Sequence, residues 1–493
     1  MTGRTGNAID AALRTHATER PDEPALVLDA GGGHDVLNWR ELDARSGELA
    51  RKQHAAAHGA EGPSVIDVGA DPGSVLPLIA AMRTDFPVLL ADRNAPEHER
   101  ARVYERLAGT GIGVVFTEPE ARDARPRRVS GAAAHARADL PPDSLLLSSG
   151  GSSGHPKLII DTVLRRPPGP GRIALTRRLN WRAGQTQLVT GRLHHAAPLT
   201  FMVQGLIDGN RLLIPARPVP STVLELIEQE KVDWMQVTPF QLQRMAARLS
   251  QSAHRLESLR GVLHMSAPCP PAVKRFWIDR LGSALIFEIY GASEGIGITV
   301  ANGAEWLDRP GTVGRGHLTR IKIVDDALRP LPANTPGRVY LRSLGTAHRP
   351  RYVGGAAPAC TPDGYRGVGD FGRLDGEGYL FLEPRRLDLI NVGGENVYPA
   401  EVEQVLALYP GIADAAVTAV PDDRLGQRPI ALVADWPGAG WDERAVIEHC
   451  RRHLSGFKVP RRVLRVEALP YTDTGKLDRR RLSELIPSPY TPE

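Results

Sequence analysis

The stretch SSGGSSGHPK, residues 148–157, follows the apolar run 145–147 and contains three glycines, four serines and one lysine. This composition is typical of a loop that binds phosphate, because glycine N–H groups and serine hydroxyls donate hydrogen bonds to phosphate oxygens. A Walker-type loop leads directly into a helix, but Pro156 disfavours helical geometry in His155, and KLIID then has the character of a strand. The stretch therefore predicts a turn between two strands that covers a phosphate. A flexible Gly/Ser turn without a ligand is the alternative that composition alone allows.

Alternating helical and strand patterns on both sides of this stretch predict an α/β fold. Apolar residues recur with helical spacing over residues 39–53, 221–231 and 239–250. Short buried runs typical of strands lie at residues 64–68, 86–90, 233–237 and 284–290. Because this alternation favours a largely parallel sheet with helices on both faces, we expect doubly wound sheets. Residues 311–382 instead show short strands separated by Gly and Pro turns, which predict an antiparallel or barrel-like β subdomain over about 311–386.

The pattern changes again near residue 386. A short amphipathic helix is predicted over 400–408, with Val402, Val405 and Leu406 on one face. The strand-like runs DAAVTAV and IALVADW follow, and then a helix over 443–454. We therefore predict a large N-terminal domain over 1–386 and a small α+β C-terminal domain over 387–493.

The composition argues against several classes of protein. The 493-residue chain starts without an apolar leader, and no run approaches the ~18 apolar residues of a membrane span. Cys269, Cys360 and Cys450 are scattered and odd in number, so we expect reduced thiols and a cytoplasmic location, with no membrane partner. The net charge of +4 comes from basic residues spread along the chain, which argues against a nucleic-acid partner.

Lysine is rare in this chain. Only seven of its 61 basic residues are lysines. Because lysine carries a compact, flexible ammonium where arginine carries a planar fork, a lysine kept in such a sequence marks a site that needs that geometry. This draws attention to Lys157 and Lys476.

Five motifs follow one another in the order SSGGSSGHPK, YGASEG, GVGDFGRLDGEGYL, PRRLDLINVGGENVYPAEVE and TDTGKLDR. Together they resemble the ordered signatures of the adenylate-forming superfamily, which includes acyl-CoA synthetases, stand-alone amide-bond synthetases, peptide-synthetase adenylation domains and luciferases. The motifs span residues 148–479, and the preceding residues suit the N-terminal α/β portion of that family. The resemblance implies that a carboxylate attacks the α-phosphate of ATP, with Mg²⁺ as cofactor, to give an acyl-adenylate and pyrophosphate.

The resemblance also implies the residues that bind the nucleotide. Tyr290 would stack on adenine, Glu294 would bind Mg²⁺, and Asp370 would accept hydrogen bonds from both ribose hydroxyls. Arg385 would contact the ribose, with Arg386 as the alternative. The other implied contacts are the phosphate loop and the segments that line the adenine pocket: Ser148, Ser149, Gly150, Gly151, Ser152, Ser153, Gly154, Lys157, Ser266, Ala267, Pro268, Gly291, Ala292 and Ser293. An exposed loop carboxylate is the alternative for Glu294, and a surface ion-pair partner for Asp370 and Arg385.

Three positions depart from the family pattern. Ser293 stands where threonine is usual, and Pro384 replaces a glycine. Leu387 replaces the charged residue at the hinge between the domains, so either Asp388 shares that role or the hinge differs.

Lys476 matches the family's lysine that bridges the carboxylate and the α-phosphate during adenylation. An ammonium there would stabilise charge that develops on the transferring group, whereas an exposed surface lysine is the alternative. The resemblance further implies that the small C-terminal domain is mobile. It would rotate after adenylation, remove Lys476 and bring the NVGGENVYP loop to the site.

The segment LHHAAPLTFMVQGL, residues 193–206, matches the family's acyl-pocket helix. His194 or His195 would contact the acid or the acceptor, and His195 is our candidate for a base that deprotonates an amine. Phe201, Met202 and Met265 would line an apolar pocket for an aromatic or medium aliphatic acid. Ordinary core packing is the alternative for these three.

The acceptor is left open between coenzyme A and a free amine. Cationic residues that could contact the phosphates of coenzyme A, or form a solvated basic face, are Arg451, Arg452, Lys458, Arg461 and Arg462. We expect no carrier-protein domain. An enzyme that activates a non-carboxylate such as nitrite, and a non-catalytic ligand-binding relative, are the alternatives in other classes.

Overall fold

A computed structural model describes most of the residues of the chain. They are 7–29, 33–57, 63–69, 72–93, 95, 97–108, 114–116, 128–129, 140–141, 143–149, 157–250, 252, 254–344, 351–353, 358–383, 390–392, 395–422, 424–436, 438–472 and 476–487.

The described residues form helices in the order α1 (Ala8–Glu19), α2 (Trp39–Ala57), α3 (Val75–Met82), α4 (Glu97–Ala108), α5 (Pro170–Arg178), α6 (Ala196–Asp208), α7 (Pro220–Gln229), α8 (Pro239–Leu249), α9 (Pro271–Leu281), α10 (Gly303–Asp308), α11 (Pro399–Leu406) and α12 (Glu443–His453). None of these helices combines the length and the apolar character that a membrane crossing requires. Proline at the first or second position begins five of the described helices, α5, α7, α8, α9 and α11, because its fixed φ suits the first turn and its missing N–H leaves no donor unpaired.

The strands of the first 161 residues are β1 (Pro24–Asp29), β2 (His34–Asn38), β3 (Ser64–Val68), β4 (Val88–Asp92), β5 (Val114–Phe116), β6 (Arg128–Val129), β7 (Leu145–Ser149) and β8 (Lys157–Asp161). Those that follow are β9 (Thr186–Val189), β10 (Arg211–Pro215), β11 (Trp234–Val237), β12 (Gly261–Met265), β13 (Ile286–Gly291), β14 (Ile298–Asn302), β15 (Thr312–His317), β16 (Thr319–Val324), β17 (Gly337–Ser343), β18 (Arg351–Tyr352), β19 (Arg366–Leu374) and β20 (Tyr379–Glu383). The last strands are β21 (Ile390–Val392), β22 (Glu395–Val397), β23 (Ile412–Asp422), β24 (Gly426–Asp435) and β25 (Val463–Arg465).

The described strands pair into three sheets. The largest has 13 strands in the order β16-β17-β19-β20-β15-β14-β13-β12-β11-β9-β10-β1-β2, and the second has seven in the order β18-β8-β7-β4-β3-β5-β6. The pairings from β1 through β10, β9, β11 and β12 to β13 are parallel, whereas β13 to β20 pair antiparallel. The antiparallel prediction for residues 311–382 is confirmed, and these strands continue the edge of the large sheet through β14 and β15.

Helices α2, α3 and α6 lie between the first two sheets. One cluster of buried side chains contains Trp39 of α2, Leu78 of α3 and Met202 of α6, together with Leu212 of the large sheet and Leu90 of the second sheet. Because burial of apolar surface contributes roughly 25 cal/mol per Å², this shared core holds the two sheets together. The predicted α/β fold of the N-terminal region is thereby confirmed.

The third sheet, β21 to β25, has a core of its own. Val402 and Leu406 on α11 are fully buried in that core, and Val405 packs against it, as the amphipathic pattern predicted. The predicted domain boundary between residues 386 and 387 lies outside the described residues, so the boundary stays a prediction.

Arg165 connects the starts of two neighbouring strands of the second sheet. Its buried guanidinium donates to the carbonyl oxygens of Thr84 at 2.8 Å, Phe86 at 3.0 Å and Ser144 at 3.3 Å, just before β4 and β7 begin. Burial lowers the pKa of Arg165 to about 10, so the group stays charged at neutral pH.

We predict that Arg165→Met lowers the free energy of unfolding by about 3 kcal/mol, because three carbonyl groups lose their donor. Urea denaturation followed by circular dichroism measures this change. The neighbouring Arg166 makes an exposed ion pair with Asp143, so Arg166→Met is the control and should cost less than about 1 kcal/mol. Equal losses for the two variants would contradict the prediction.

Candidate active site

The opening stretch lies between two strands that pair as the sequence predicts. β7 and β8 are antiparallel, with Ser148 opposite Leu158 and Ser149 opposite Lys157. Residues 150–156, which include Gly150, Gly151, Ser152, Ser153 and Gly154, lie outside the described residues. The strand–turn–strand arrangement is therefore confirmed at its two ends, and the phosphate contacts of the loop stay a prediction.

A cleft of about 480 Å³ opens beside these strands and is lined in part by Lys157, Glu294, Tyr352 and Asp370. The hydroxyl of Tyr290 donates to Asp370 Oδ2 at 2.8 Å, and the hydroxyl of Tyr352 donates to Glu294 Oε1 at 2.6 Å. Most ligand pockets measure ~300–1,000 Å³. The cleft thus has the size of a small-molecule site, and its wall carries carboxylates and a cation.

Lys157 and Tyr352 meet across the pairing of β8 with β18. The ammonium of Lys157 lies 5.7 Å from the centre of the Tyr352 ring, within the range of a cation–π contact. Burial, together with the hydrogen bond to the Glu294 carboxylate, raises the pKa of Tyr352. Tyr352 therefore stays protonated and keeps donating to Glu294 at neutral pH.

The two segments predicted to line the adenine pocket follow adjacent parallel strands. β12 pairs in parallel with β13, so that Ser266 and Tyr290 lie at the same edge of the large sheet. Ser266 has a φ of 82°, in the left-handed region that glycine adopts without cost. The neighbouring residues Ala267, Gly291 and Ala292 are exposed or half-buried, as are Pro268 and Ser293. These backbone segments are open to a ligand.

A second polar group lies at the start of α6. Arg192 Nη1 is 3.3 Å and His194 Nε2 is 3.8 Å from the same oxygen, Oδ2 of Asp92 at the end of β4. The rings of His194 and His195 are 4.0 Å apart. His194 Nδ1 and His195 Nε2 are buried and have no hydrogen-bond partner among the described residues.

Both histidines are neutral at neutral pH. Burial, followed by the charge of Arg192, lowers the pKa of His194 to about 4. Burial is also the main reason that the pKa of His195 falls to about 3, and nearby positive charge, including that of Lys476, contributes. Each neutral imidazole therefore keeps one unprotonated nitrogen that can accept a hydrogen bond throughout the physiological range.

Lys476 belongs to a tight hairpin in the C-terminal region. The N–H of Thr472 donates to the carbonyl of Lys476 at 2.7 Å, and the N–H of Lys476 donates to Thr472 Oγ1 at 3.2 Å. Lys476 is exposed, yet close enough to His195 for its charge to affect that residue. The role of Lys476 in adenylation stays a prediction.

The predicted acyl-pocket residues divide into two groups. Phe201 and Met265 belong to one cluster, in which Phe201 lies 6.0 Å from Trp181 and 5.0 Å from Trp234 between ring centres. Met202 is fully buried in the different cluster that joins the two sheets. For Met202 this favours ordinary core packing, and we leave it out of the proposed pocket.

Other predicted residues are outside the described part or already paired. Arg385, Arg386, Leu387 and Asp388 are not described. Among the basic residues of the C-terminal region, Lys458 contacts Glu401 at 2.7 Å, Arg462 contacts Glu443 at 2.9 Å and Arg451 contacts Glu448 at 3.2 Å. These pairs favour the solvated-face interpretation for those three residues.

Sequence reasoning missed Tyr352 and Asp92. Tyr352 precedes Val353 and Gly354 in a short segment without a motif, and only its pairing with β8 brings it to Glu294. Asp92 could have been noticed, because a carboxylate that ends a buried apolar run lies at the carboxyl edge of a parallel sheet.

Two protein-family models match most of this chain. The family model described as "AMP-binding enzyme" matches residues 13–349, and the one described as "AMP-binding enzyme C-terminal domain" matches residues 401–476. A feruloyl-CoA synthase from an Amycolatopsis species is 29% identical over 481 residues, which cover 90% of this chain and 93% of that protein.

Solved structures share the fold. An amide bond synthetase from Marinactinospora thermotolerans has a TM-score of 0.72 at 22% identity, with 97% of this chain and 100% of that chain covered. An o-succinylbenzoate–coenzyme A synthetase from Bacillus subtilis, solved with ATP and a magnesium ion, also has a TM-score of 0.72 at 22% identity, with 96% and 99% covered.

We predict that Ser266→Gly raises the free energy of unfolding by about 1 kcal/mol, because glycine adopts the positive φ without steric cost. Urea denaturation measures the change. Ser250 ends α8 with a φ of −62°, so Ser250→Gly is the control and should lower stability. A loss of stability in Ser266→Gly would contradict the prediction.

Proposed function

Because this chain belongs to the family of AMP-binding, adenylate-forming enzymes, we propose that it joins a carboxylic acid to a nucleophile through an acyl-adenylate. As a member of that family it is an ATP-dependent acid ligase. One observation carries the proposal. Lys157, Glu294 and Asp370, which belong to three separate motifs, line a single cleft, and Tyr290 donates a hydrogen bond to the Asp370 carboxylate at its wall.

Asp370 and Tyr290 hold the nucleoside in this proposal. A carboxylate has two acceptor oxygens, which suit the adjacent hydroxyls of a ribose. The hydroxyl of Tyr290 donates to Asp370 and so orients that carboxylate. The ring of Tyr290 is half-buried, which leaves part of its surface for an adenine.

Glu294 and Lys157 hold the phosphates, together with Ser148, Ser149 and the loop 150–154. Mg²⁺ is commonly bound by one or two carboxylates together with substrate phosphates, and Glu294 supplies such an oxygen in the cleft. The metal, when bound, neutralises phosphate charge. Tyr352 fixes the orientation of Glu294 by its hydrogen bond. Arg385 stays our proposed ribose contact.

Lys476 promotes the adenylation step. The carboxylate of the acid and the α-phosphate are both anionic, so their approach requires a cation between them. Lys476 is exposed and its charge contributes to the lowered pKa of His195, which supports such a role. Phe201 and Met265 stay our proposed apolar contacts for an aromatic or medium aliphatic acid, and Met265 is the less buried of the two.

Coenzyme A is the acceptor that we favour, because the feruloyl-CoA synthase resembles this chain over nearly its full length. We propose that the C-terminal domain then rotates and presents residues 391–399 to the thiol. An amine is the second candidate, and one observation favours it: His195 is neutral and its Nε2 has no partner among the described residues, so it could hydrogen-bond a neutral amine and accept the proton that the amine loses as its nitrogen bonds to the acyl carbon. The free thiols of Cys269, Cys360 and Cys450 support a cytoplasmic location.

We predict that Lys476→Ala lowers acid-dependent exchange of labelled pyrophosphate into ATP by at least about 100-fold, because charge that develops at the α-phosphate loses its cation. Conversion of a synthetic acyl-adenylate to product should be unchanged within about twofold, since Lys476 has left the site by then. Lys458→Ala, which removes an ion-paired lysine of the same region, is the control. Equal loss of both half-reactions in Lys476→Ala would disprove a role limited to adenylation.

The acceptor is tested with ATP, Mg²⁺ and a panel of aromatic and aliphatic acids, supplied separately with coenzyme A or with simple amines. A thiol acceptor should show saturation with coenzyme A and poor use of truncated thiols, because remote binding energy is lost. Product with coenzyme A and with no amine would remove the second candidate. Product with neither would favour the activation of a non-carboxylate such as nitrite, and absence of any acid-dependent pyrophosphate exchange would contradict the proposed function.

For an amine acceptor we predict the pH dependence of amide formation. The pKa of His195 is lowered to about 3, so His195 is already neutral at pH 5 and its titration adds no inflection near 6.5. The rate should instead rise with pH toward the pKa of the amine, and His195→Ala should lower amide formation about 100-fold while sparing pyrophosphate exchange. His453→Ala, on the exposed end of α12, is the control.

A further inference from the structure

The hairpin that carries Lys476 contacts the N-terminal region through Tyr471. Tyr471 and Leu477 form the bridge at the base of this hairpin. The ring of Tyr471 stacks on Phe240, with 4.5 Å between the ring centres and 27° between the planes. Phe240 is the second residue of α8, whose start is fixed by a capping box between Thr238 and Gln241. The hairpin that carries Lys476 thus packs, through Tyr471, against the capped N-terminus of α8.

The hydroxyl of Tyr471 is bound as well as its ring. It donates to Asp414 Oδ2 at 2.7 Å, and Gln243 on α8 donates from Nε2 to the carbonyl of Ala413 at 2.7 Å. Gln243 also provides a hydrogen bond to the Asp414 carboxyl. Asp414 is 8% exposed, and burial raises its pKa to about 6. Because Gln243 on α8 bonds the residue next to Asp414, these two contacts hold α8, the start of β23 and the hairpin in one arrangement.

The opposite end of the lysine segment is attached differently. Arg479 donates to Glu403 Oε2 at 2.9 Å and to the carbonyl of Val417 at 3.1 Å, and both partners belong to the C-terminal region. Arg479 therefore attaches the hairpin to the third sheet, and this attachment does not depend on where that sheet lies relative to the N-terminal region. Tyr471, in contrast, contacts Phe240 on α8. This contact therefore depends on the position of the third sheet relative to α8.

We propose that Tyr471 is a positioning residue for adenylation, which sets the place of Lys476 by stacking on Phe240 and bonding to Asp414. The inference rests on the proposed function, because it assigns the contact to the first half-reaction. When the C-terminal region moves for the transfer step, Tyr471 must leave Phe240 while Arg479 keeps its partners. Weakening the contact therefore slows adenylation and leaves transfer intact.

The kinetic test uses two variants and one matched control. Phe240→Ala removes the stacking partner on α8, and Tyr471→Phe removes only the hydroxyl. Tyr409→Phe is the control, because Tyr409 packs on His449 within the C-terminal region, 5.5 Å between ring centres. We expect kcat for pyrophosphate exchange to fall about tenfold in Phe240→Ala and about threefold in Tyr471→Phe, since misplaced catalytic groups lose rate. KM for ATP and the conversion of a synthetic acyl-adenylate should change less than twofold. Unchanged exchange, or equal loss of both half-reactions, would overturn the proposal.

A second measurement separates this inference from the proposed function. Hydrogen–deuterium exchange of the amides in residues 471–477 reports the attachment of the hairpin without any substrate. It should become faster in Phe240→Ala and Tyr471→Phe and stay unchanged in Tyr409→Phe. Wild-type enzyme that fails every pyrophosphate-exchange assay would contradict the proposed function and the role in adenylation. Unaltered amide exchange in both variants would overturn the attachment itself, whatever reaction the enzyme catalyses.

Discussion

The site depends on one geometric constraint, that neighbouring parallel strands end at the same edge of their sheet. β12 and β13 pair in parallel with Met265 opposite Ile289, so the next residues, Ser266 and Tyr290, emerge side by side. The same rule brings the end of β9 to that edge through its pairing with β11. Such edges are where α/β sheets bind ligands. The large sheet therefore supplies one wall of the site from backbone geometry alone.

The second sheet completes the site because a shared core fixes it to the first. Asp92 ends β4, and Lys157 begins β8, both in the seven-stranded sheet. Their opposite charges are placed where the large sheet presents His194 and Glu294. Packing of α2, α3 and α6 between the sheets sets the distance between these groups, so apolar burial that contacts no ligand determines the electrostatics of the cleft.

The sequence predicted what local patterns and ordered motifs encode. Helices such as α8 and strands such as β3 were predicted within a few residues, because their apolar periodicity is strong. Tyr290, Glu294 and Asp370 were predicted from the resemblance of their motifs to a known family; Glu294 and Asp370 line one cleft, and Tyr290 donates to Asp370. Tyr352 was missed because its role arises only from pairing with β8, which no local pattern encodes. For Met202 the structure favours the alternative of core packing, because its side chain is buried in the cluster between the two sheets, a contact that no local pattern encodes.

The separation of Lys476 from the other charged groups has a physical consequence. Lys157 and Asp370 lie on strands of the two joined sheets and Glu294 follows β13, whereas Lys476 lies on a hairpin that packs against the third sheet. A cation on the joined sheets would stay at the reacting phosphate after adenylation and would occupy space that the nucleophile needs. Placed on a region with its own core, the same ammonium can be removed by breaking contacts such as those of Tyr471 with Phe240, Gln243 with Ala413 and Trp436 with Phe276. In the proposed function, this division of the charged groups between separate cores lets one site serve two successive reactions.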